Sequence, residues 1–357
     1  MNTPHYTKIH NRFKLNGYFF SAGELKDIGY DFIKEGIPYE VAIGKFIMDW
    51  MDKEDYINVK TSGSTGDPKM IKIFKQAMVS SAIRTGDFFK VQIGDSALHC
   101  LPADFIAGKM MLVRAMILGL SLDLAQPTSQ PMRDIYRSYD FVAMTPMQAH
   151  HSLEKLNKIK TLIIGGAPIY PKLYEKIVSI HDNCFETYGM TETITHIAAS
   201  KFSLPKKPFH ALDGIYLKVS DEGCLVVDAP NITDELIHTN DLVKIHDEKT
   251  FTYLGRRDNI INSGGVKISP EIAEQKLSYH LQYPFFLYGI PDKVLGQKLI
   301  MVVEGSDNHL SEINHQVSAC KALEKFEVPR ATYFTPKILR NNGKFLRGKT
   351  VRSIKTI

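Results

Sequence analysis

The chain has 357 residues, enough for roughly two domains and enough to bury about three quarters of the surface its unfolded form exposes. Forty-four Lys and Arg against 39 Asp and Glu leave a net charge of +5, a mild balance that does not demand nucleic acid but suits phosphate-bearing ligands. A hydrophobic fraction of 44% with 23% charged residues excludes a mainly disordered chain.

From the N-terminus, no apolar stretch is followed by a cleavage pattern, so no secretory signal is expected. Ser21-Ala22-Gly23-Glu24 reads as a helix-starting capping box. Two β-like runs, Tyr56–Lys60 and Met70–Phe74, flank a Ser/Gly/Thr-rich stretch. Ser96–Leu101, Ser121–Ala125, Phe141–Met144, Thr161–Ile164 and Cys184–Glu186 are brief and apolar, as buried strands should be. Between them lie amphipathic segments. Thr145-Pro146-Met147-Gln148 starts one, with proline at the first helical position. Alternating strands and helices predict α/β layers with crossover connections. The apolar region Met110–Leu124 contains Arg114 and Asp123, so a membrane span is not expected.

The texture changes near residue 212. Ile215–Ser220 and Cys224–Asp228 flank the turn sequence Asp221-Glu222-Gly223 and predict a hairpin, with more β pattern through Tyr253. Beyond the polar Gly255-Arg256-Arg257-Asp258, a β pair around Ser263-Gly264-Gly265, a helix from Pro270, strands at Phe285–Tyr288 and Leu299–Val303, and a helix over Ser311–Lys325 are expected. The division is set at residues 1–257 and 258–357, the smaller part being of ordinary domain size.

Cys100, Cys184, Cys224 and Cys320 form no CxxC pair and read as buried reduced thiols of a cytoplasmic protein. There are 13 histidines but no HExxH, and the adjacent His150 and His151 cannot face one metal from a helix, so zinc chemistry is not expected.

The most informative stretch is Thr61-Ser62-Gly63-Ser64-Thr65-Gly66-Asp67-Pro68-Lys69. Glycines let a backbone approach an anion with its N–H groups turned inward. The hydroxyls can donate to phosphate oxygens, and Lys69 adds a positive charge. A polar surface loop is the usual meaning of a Ser/Gly cluster, but the complete nonapeptide argues against it. It resembles the phosphate loop of the adenylate-forming (AMP-binding) superfamily, which includes acyl-CoA synthetases, adenylation domains and luciferases.

The resemblance implies further motifs in a fixed order, and the chain carries them. Gly165-Gly166-Ala167-Pro168 is similar to the adenine-side segment. Tyr188-Gly189-Met190-Thr191-Glu192 is similar to the aromatic and Mg²⁺ segment. In His238-Thr239-Asn240-Asp241, Asp241 would accept the ribose hydroxyls. Gly255-Arg256-Arg257-Asp258 resembles the interdomain hinge, with Asp258 at the pivot. Gly264, Gly265 and Lys267 resemble the loop along the CoA path. Gly343-Lys344 with Arg347 resembles the catalytic lysine segment. The fold implied is a large α/β domain with a β-rich end, followed by a small mobile α+β domain.

The implied reaction joins a carboxylate to the α-phosphorus of ATP and expels pyrophosphate. Two anions must meet, so cations and N–H donors are needed where charge develops. Lys344 suits that task, since one charge pair at about 4 Å and an effective dielectric near 20 is worth roughly 4 kcal/mol. Glu192 offers a hard oxygen to Mg²⁺, Thr191 stands beside it, and Tyr188 offers adenine a stacking face. Taken alone, Tyr188 would read as a core aromatic and Glu192 as a solvated acid; their motif reverses both.

A rival pattern ends the chain. Gly343 to Thr350 fits G-x-x-x-x-G-K-[ST], the P-loop of another NTPase class, but only seven residues follow Thr350, too few for the helix and strands a P-loop opens. The same repeat leaves Lys344 and Lys349 each heading a Gly-Lys-x-x-Arg pattern. Lys344 is preferred because Leu339-Arg340-Asn341-Asn342 before it resembles the family's segment better, though one residue short.

Two departures stand out. The phosphate loop begins at residue 61, earlier than in most members, so the acyl pocket is expected to be built from less chain. In Leu101-Pro102-Ala103-Asp104-Phe105-Ile106-Ala107-Gly108, Phe105 replaces the usual histidine. Brevity and the run Gly255–Ile268 resemble the o-succinylbenzoate–CoA ligases of menaquinone biosynthesis, which implies ATP, CoA and a small carboxylic acid, o-succinylbenzoate, as substrates. A second carboxylate would want a cation: Lys109, Arg84 and Arg114 qualify by charge, each equally readable as a solvated surface cation, and His196 could face the acyl group. Another acyl- or aryl-CoA ligase, an adenylating enzyme serving a carrier protein and a non-catalytic nucleotide binder stay open, the last disfavoured by Lys344 and Glu192. Oligomeric state is left open, a homodimer being one option.

Overall fold

The computed structural model describes residues 3–60, 69–341 and 344–354. Its brief apolar segments pair in parallel, in the order Ser121–Leu124, Ser96–His99, Tyr139–Met144, Ile159–Ile164, Cys184–Gly189. Leu98, Val142, Leu162 and Ile164 are fully buried within these strands, as expected of strands covered on both faces. The first two strands end earlier than the sequence suggests, because Leu101 and Ala125 lie beyond the last paired residues. The expected capping boxes form: the Ser21 and Thr145 hydroxyls accept from the backbone N–H of Glu24 and Gln148.

Beyond Cys184–Gly189 the sheet changes direction. Six residues connect it to His196–Lys201, too few for a parallel crossover, so that strand returns antiparallel. The antiparallel half continues through Phe209–Ala211, Thr250–Arg256, Ile237–Ile245, Cys224–Asp228 and Tyr216–Val219. The last two form the hairpin expected around Asp221-Glu222-Gly223. On the parallel half, the helices Lys75–Phe89 and Ile106–Leu118 pack together. Gly108 sits where a Cβ would lie 2.2 Å from the Pro102 carbonyl oxygen, so only glycine lets this helix start so close to the preceding loop.

A second sheet begins at Ile261. Its antiparallel order is Val266–Ile268, Ile261–Ser263, Gly296–Glu304, Phe285–Asp292, with Thr332–Thr335 parallel to Gly296–Glu304. Period-two alternation divides its apolar residues. Phe285, Leu287, Leu299, Met301 and Val303 pack with Ala273, Leu277, Ile313 and Val317 of the helices Pro270–Leu277 and Leu310–Ala319. Phe286, Ile300 and Val302 face the other way, onto Ile338, Val351 and Phe345. The helix expected over Ser311–Lys325 stops at Ala319. Within the rest of the expected span, the Glu324 N–H donates at 2.8 Å to the Glu327 carboxylate, which pairs with Lys276 at 2.6 Å. Local side-chain bonds to the backbone compete with helix propagation.

The four cysteines are free and buried. Among the described residues no group of three or more His, Cys, Asp or Glu is placed to hold a metal ion, and no helix is long and apolar enough to cross a membrane.

Candidate active site

The sheet switch places Tyr188 at the end of the last parallel strand, facing the antiparallel half. Its ring meets Phe251 edge-on at 5.2 Å between centroids, with Phe209 at 5.9 Å and Tyr253 at 6.3 Å. Its hydroxyl donates to Asp241 Oδ2 at 2.5 Å. Desolvation, followed by the Asp241 charge, raises the phenol pKa. Asp241 is 8% exposed, and its N–H donates to Thr239 Oγ1 at 3.1 Å. Arg256 lies 3.9 Å from the second Asp241 oxygen and 2.7 Å from Asp258, so one guanidinium sits between Asp241 and the expected pivot.

The loop after Tyr188 is tied by one hydroxyl. Thr193, fully buried, accepts the Met190 N–H at 2.9 Å and lies 2.7 Å from the Thr195 carbonyl oxygen. Gly189 admits no side chain, since a Cβ there would lie 2.3 Å from the Thr195 carbonyl oxygen. Ile194 takes φ +66°, a costly conformation for a β-branched residue and one that clusters at functional sites. The knot leaves Thr191 half-buried and Glu192 exposed.

Lys344 reaches this cleft from the second sheet's side. It lies on the strand Lys344–Phe345, paired with Arg340–Asn341. Although exposed as a residue, its ammonium pKa is lowered, by desolvation first and Arg256 second, while Asp241 and Glu192 oppose the shift. Three motif segments far apart in sequence therefore act on one ammonium group. Lys349 lies exposed on the helix Arg347–Ser353.

On the other side of the Thr193 knot lies a buried polar cluster. Arg114, 2% exposed, donates to Thr195 Oγ1 at 2.7 Å and lies 3.6 Å from Met111 Sδ. Its Nε has no partner, and among the described residues no carboxylate pairs with it. Burial pulls its pKa down to about 9, which leaves it charged at neutral pH. His196 Nε2 lies 3.1 Å from Thr85 Oγ1 and Nδ1 lies 3.4 Å from Thr195 Oγ1. Desolvation, then Arg114, drives its pKa well below the ordinary histidine value, so the imidazole is neutral.

The remaining expected residues are dispersed. Thr61, Ser62, Gly63, Ser64, Thr65 and Gly66 lie outside the described residues, while Lys69 is exposed just before the strand Met70–Phe74. Gly165, Gly166 and Ala167 follow the strand Ile159–Ile164. Gly264 and Gly265 turn the hairpin Ile261–Ile268, and Lys267 is exposed on its second strand. Phe105 is 39% exposed at the start of its helix. Of the candidate cations for a second carboxylate, Lys109 stacks over Phe46 at 5.2 Å and feels Asp49 and Asp104. Arg84 donates to the Pro230 carbonyl at 2.6 Å. Only Arg114 belongs to the His196 cluster. Thr85, Thr193 and Tyr253 escaped the sequence reading. Thr85 and Tyr253 lie outside the motifs, and a lone threonine or tyrosine carries no local signal of what it will face.

Residues 43–231, more than half of the chain, match the family model described as "AMP-binding enzyme". The 2-succinylbenzoate–CoA ligase of Bacillus cytotoxicus is 27% identical, the match covering 83% of this chain and 69% of the relative. An acyl-CoA synthetase (AMP-forming)/AMP-acid ligase II-like protein from Dyadobacter fermentans is 32% identical with TM-score 0.59, covering 88% of this chain and 94% of that one. The Bacillus subtilis o-succinylbenzoate coenzyme A synthetase MenE, in complex with ATP and magnesium, shares the fold at TM-score 0.72 and 22% identity, covering 85% of this chain and 74% of that one.

Proposed function

Since the chain belongs to the AMP-binding enzyme family, we propose that it activates a carboxylic acid with ATP and transfers the acyl group to CoA, with o-succinylbenzoate as the acid. The observation that carries this reading is the placement of Lys344 under the joint influence of Arg256, Asp241 and Glu192. A carboxylate oxygen attacks the α-phosphorus and pyrophosphate leaves. The CoA sulfur then attacks the acyl carbon, its proton is lost and AMP leaves.

Each side chain has a physical task. Lys344 offsets the negative charge that gathers as carboxylate and phosphate meet. Asp241 accepts ribose hydroxyls, held in place by Tyr188 and Arg256. Glu192, an exposed carboxylate on a tied loop, would hold Mg²⁺ through a hard oxygen, and the ion would neutralise charge on the triphosphate. The lowered Lys344 pKa has a direct consequence: as pH rises through it, the ammonium loses its charge and adenylate formation slows.

The substrate reading rests on Arg114 together with the named relatives. A buried guanidinium lacking a carboxylate partner is costly to maintain, and a substrate with a second carboxylate would complete it. Another dicarboxylic acid of similar length would satisfy the same cation. Mass spectrometry of product thioesters with o-succinylbenzoate, benzoate and a fatty acid, each with ATP and CoA, separates the readings. We expect the o-succinylbenzoyl thioester. Turnover of benzoate or the fatty acid without it would overturn the substrate and leave the reaction class intact.

A further inference from the structure

We propose that Glu274 is a positioning residue for adenylate formation, acting through Arg347 to fix the strand that carries Lys344. This rests on the role of Lys344 given above. Glu274 lies on the helix Pro270–Leu277. One carboxylate oxygen accepts the Leu287 N–H at 2.7 Å, and the other accepts from Arg347 Nη2 at 2.8 Å. Arg347 Nη1 donates to the Leu287 carbonyl at 3.2 Å. The three residues close a ring of hydrogen bonds. Leu287 belongs to the edge strand Phe285–Asp292, whose outward N–H and C=O groups need partners. The ion pair supplies both partners at one residue.

The ring is aimed at the lysine. Arg347 stands three residues after Lys344 and opens the terminal helix. Between them, Phe345 packs on Phe286 at 6.0 Å between centroids, on the same edge strand. The other arm of the lysine hairpin is tied separately. Glu304 accepts the Ile338 N–H at 2.9 Å and pairs with Arg340 at 2.7 Å. The two ties differ in burial. The Glu274 and Arg347 side chains are 17% and 16% exposed, against 25% and 30% for Glu304 and Arg340. Exposed pairs contribute little, and the less exposed Glu274–Arg347 pair, closed into a ring through both backbone groups of Leu287, holds its geometry more firmly. Glu274 is thus the stiffer of the two anchors.

Its surroundings also make the anchor sensitive to pH. Burial pushes the Glu274 carboxyl up to about 7, Arg347 and the Leu287 N–H oppose the rise, and Glu271 adds to it. From the large sheet's side Tyr170 faces the same group, its own pKa raised by burial and then by Glu274. Below pH 7 the carboxyl is protonated and loses its charge-assisted bond to Arg347. The contribution of this group to adenylate formation therefore falls as pH drops through about 7.

The test is single-turnover kinetics of each half-reaction in Glu274→Gln across pH, using o-succinylbenzoate, ATP and CoA, or pre-formed acyl-adenylate with CoA. Adenylate formation should slow about tenfold or more at neutral pH, a 1 Å misplacement costing roughly 10²-fold. The KM for ATP should hold, thioester formation from the supplied adenylate should persist, and the acid limb near pH 7 should flatten. An unaltered rate of adenylate formation overturns the proposal. So does equal slowing of both half-reactions with the wild-type pH profile. If Glu274→Gln does not fold, Arg347→Lys, which keeps the charge and loses the forked donor, is read in the same way. Wild-type adenylate formation in Lys344→Ala would instead sink the role of Lys344 itself.

Discussion

At the nucleotide end of the cleft, Asp241, Arg256 and Asp258 are already partnered. Asp241 is shared between the Tyr188 phenol and Arg256, and Arg256 also holds Asp258. At the acyl end, the Arg114 guanidinium is buried with a threonine hydroxyl and a methionine sulfur as its contacts, beside a neutral histidine. The two ends share the residues Met190–Thr195, tied by Thr193. A site whose polar groups satisfy each other is pre-organised and gives way little when its ligand arrives. A site with an unpaired buried cation carries a cost that only the right ligand removes, which is a source of specificity. On the function proposed above, the nucleotide end would suit a ligand common to a family, and the acyl end one acid among many.

The largest expected effect lies at the nucleotide end. Lys344→Ala should slow acyl-adenylate formation by roughly 10²–10³-fold, the usual loss on removing one transition-state donor. Rapid-quench measurement of acyl-adenylate checks this. Lys349→Ala, on an exposed helix face, should stay within about twofold, as surface substitutions usually do. Exchange of these two phenotypes would move the catalytic lysine to the other Gly-Lys pair and remove the main tie between the nucleotide end and the second sheet.

Next in size is Arg114→Met, which keeps the stem and removes the charge. A hydrogen bond to a charged group is worth about 1.5–3 kcal/mol, so kcat/KM for o-succinylbenzoate should fall roughly 10- to 10²-fold, with the KM for ATP unchanged. The melting temperature should hold or rise, because replacing an uncompensated buried charge by an apolar side chain is often neutral or stabilising. A fall in ATP affinity equal to the fall for the acid would erase the distinction between the two ends. Unfolding would assign Arg114 to stability.

This contrast also explains what the sequence made legible. The nucleotide end is written in short local runs, each needing glycine, hydroxyl or carboxylate at a fixed offset, and those offsets survive any rearrangement of loops. The five central parallel strands were equally plain, because fully buried parallel strands leave apolar runs, whereas the antiparallel return His196–Lys201 was not read. The acyl end is assembled from Thr85, Arg114, Thr195 and His196, which lie on separate elements and match no local pattern. Charge alone put Lys109, Arg84 and Arg114 on an equal footing; burial and partners separate them. Glu274 was silent for the same reason: an acid in the middle of an amphipathic helix reads as a solvated surface charge until its partners on Leu287 and Arg347 are seen.

The smallest expected effect tests how far the nucleotide end supports itself. Tyr188→Phe deletes the hydroxyl that donates to Asp241 and leaves the ring contacts to Phe209, Phe251 and Tyr253 in place. Asp241 keeps Arg256, so its carboxylate is not stranded. A typical net hydrogen-bond contribution near 1 kcal/mol translates to a rise in the KM for ATP of about two- to tenfold, with kcat nearly constant, because the bond orients a ribose-binding group and does not touch the reacting atoms. The KM for the acid should not move, since Arg114 and His196 are held through Thr195 and Thr85. Steady-state kinetics with each substrate varied in turn reads all three quantities. A large drop in kcat at constant KM would mean that the phenol acts in the transition state. An equal shift in both KM values would mean that the residues between Met190 and Thr195 transmit strain from one end to the other, and that the two ends are a single unit.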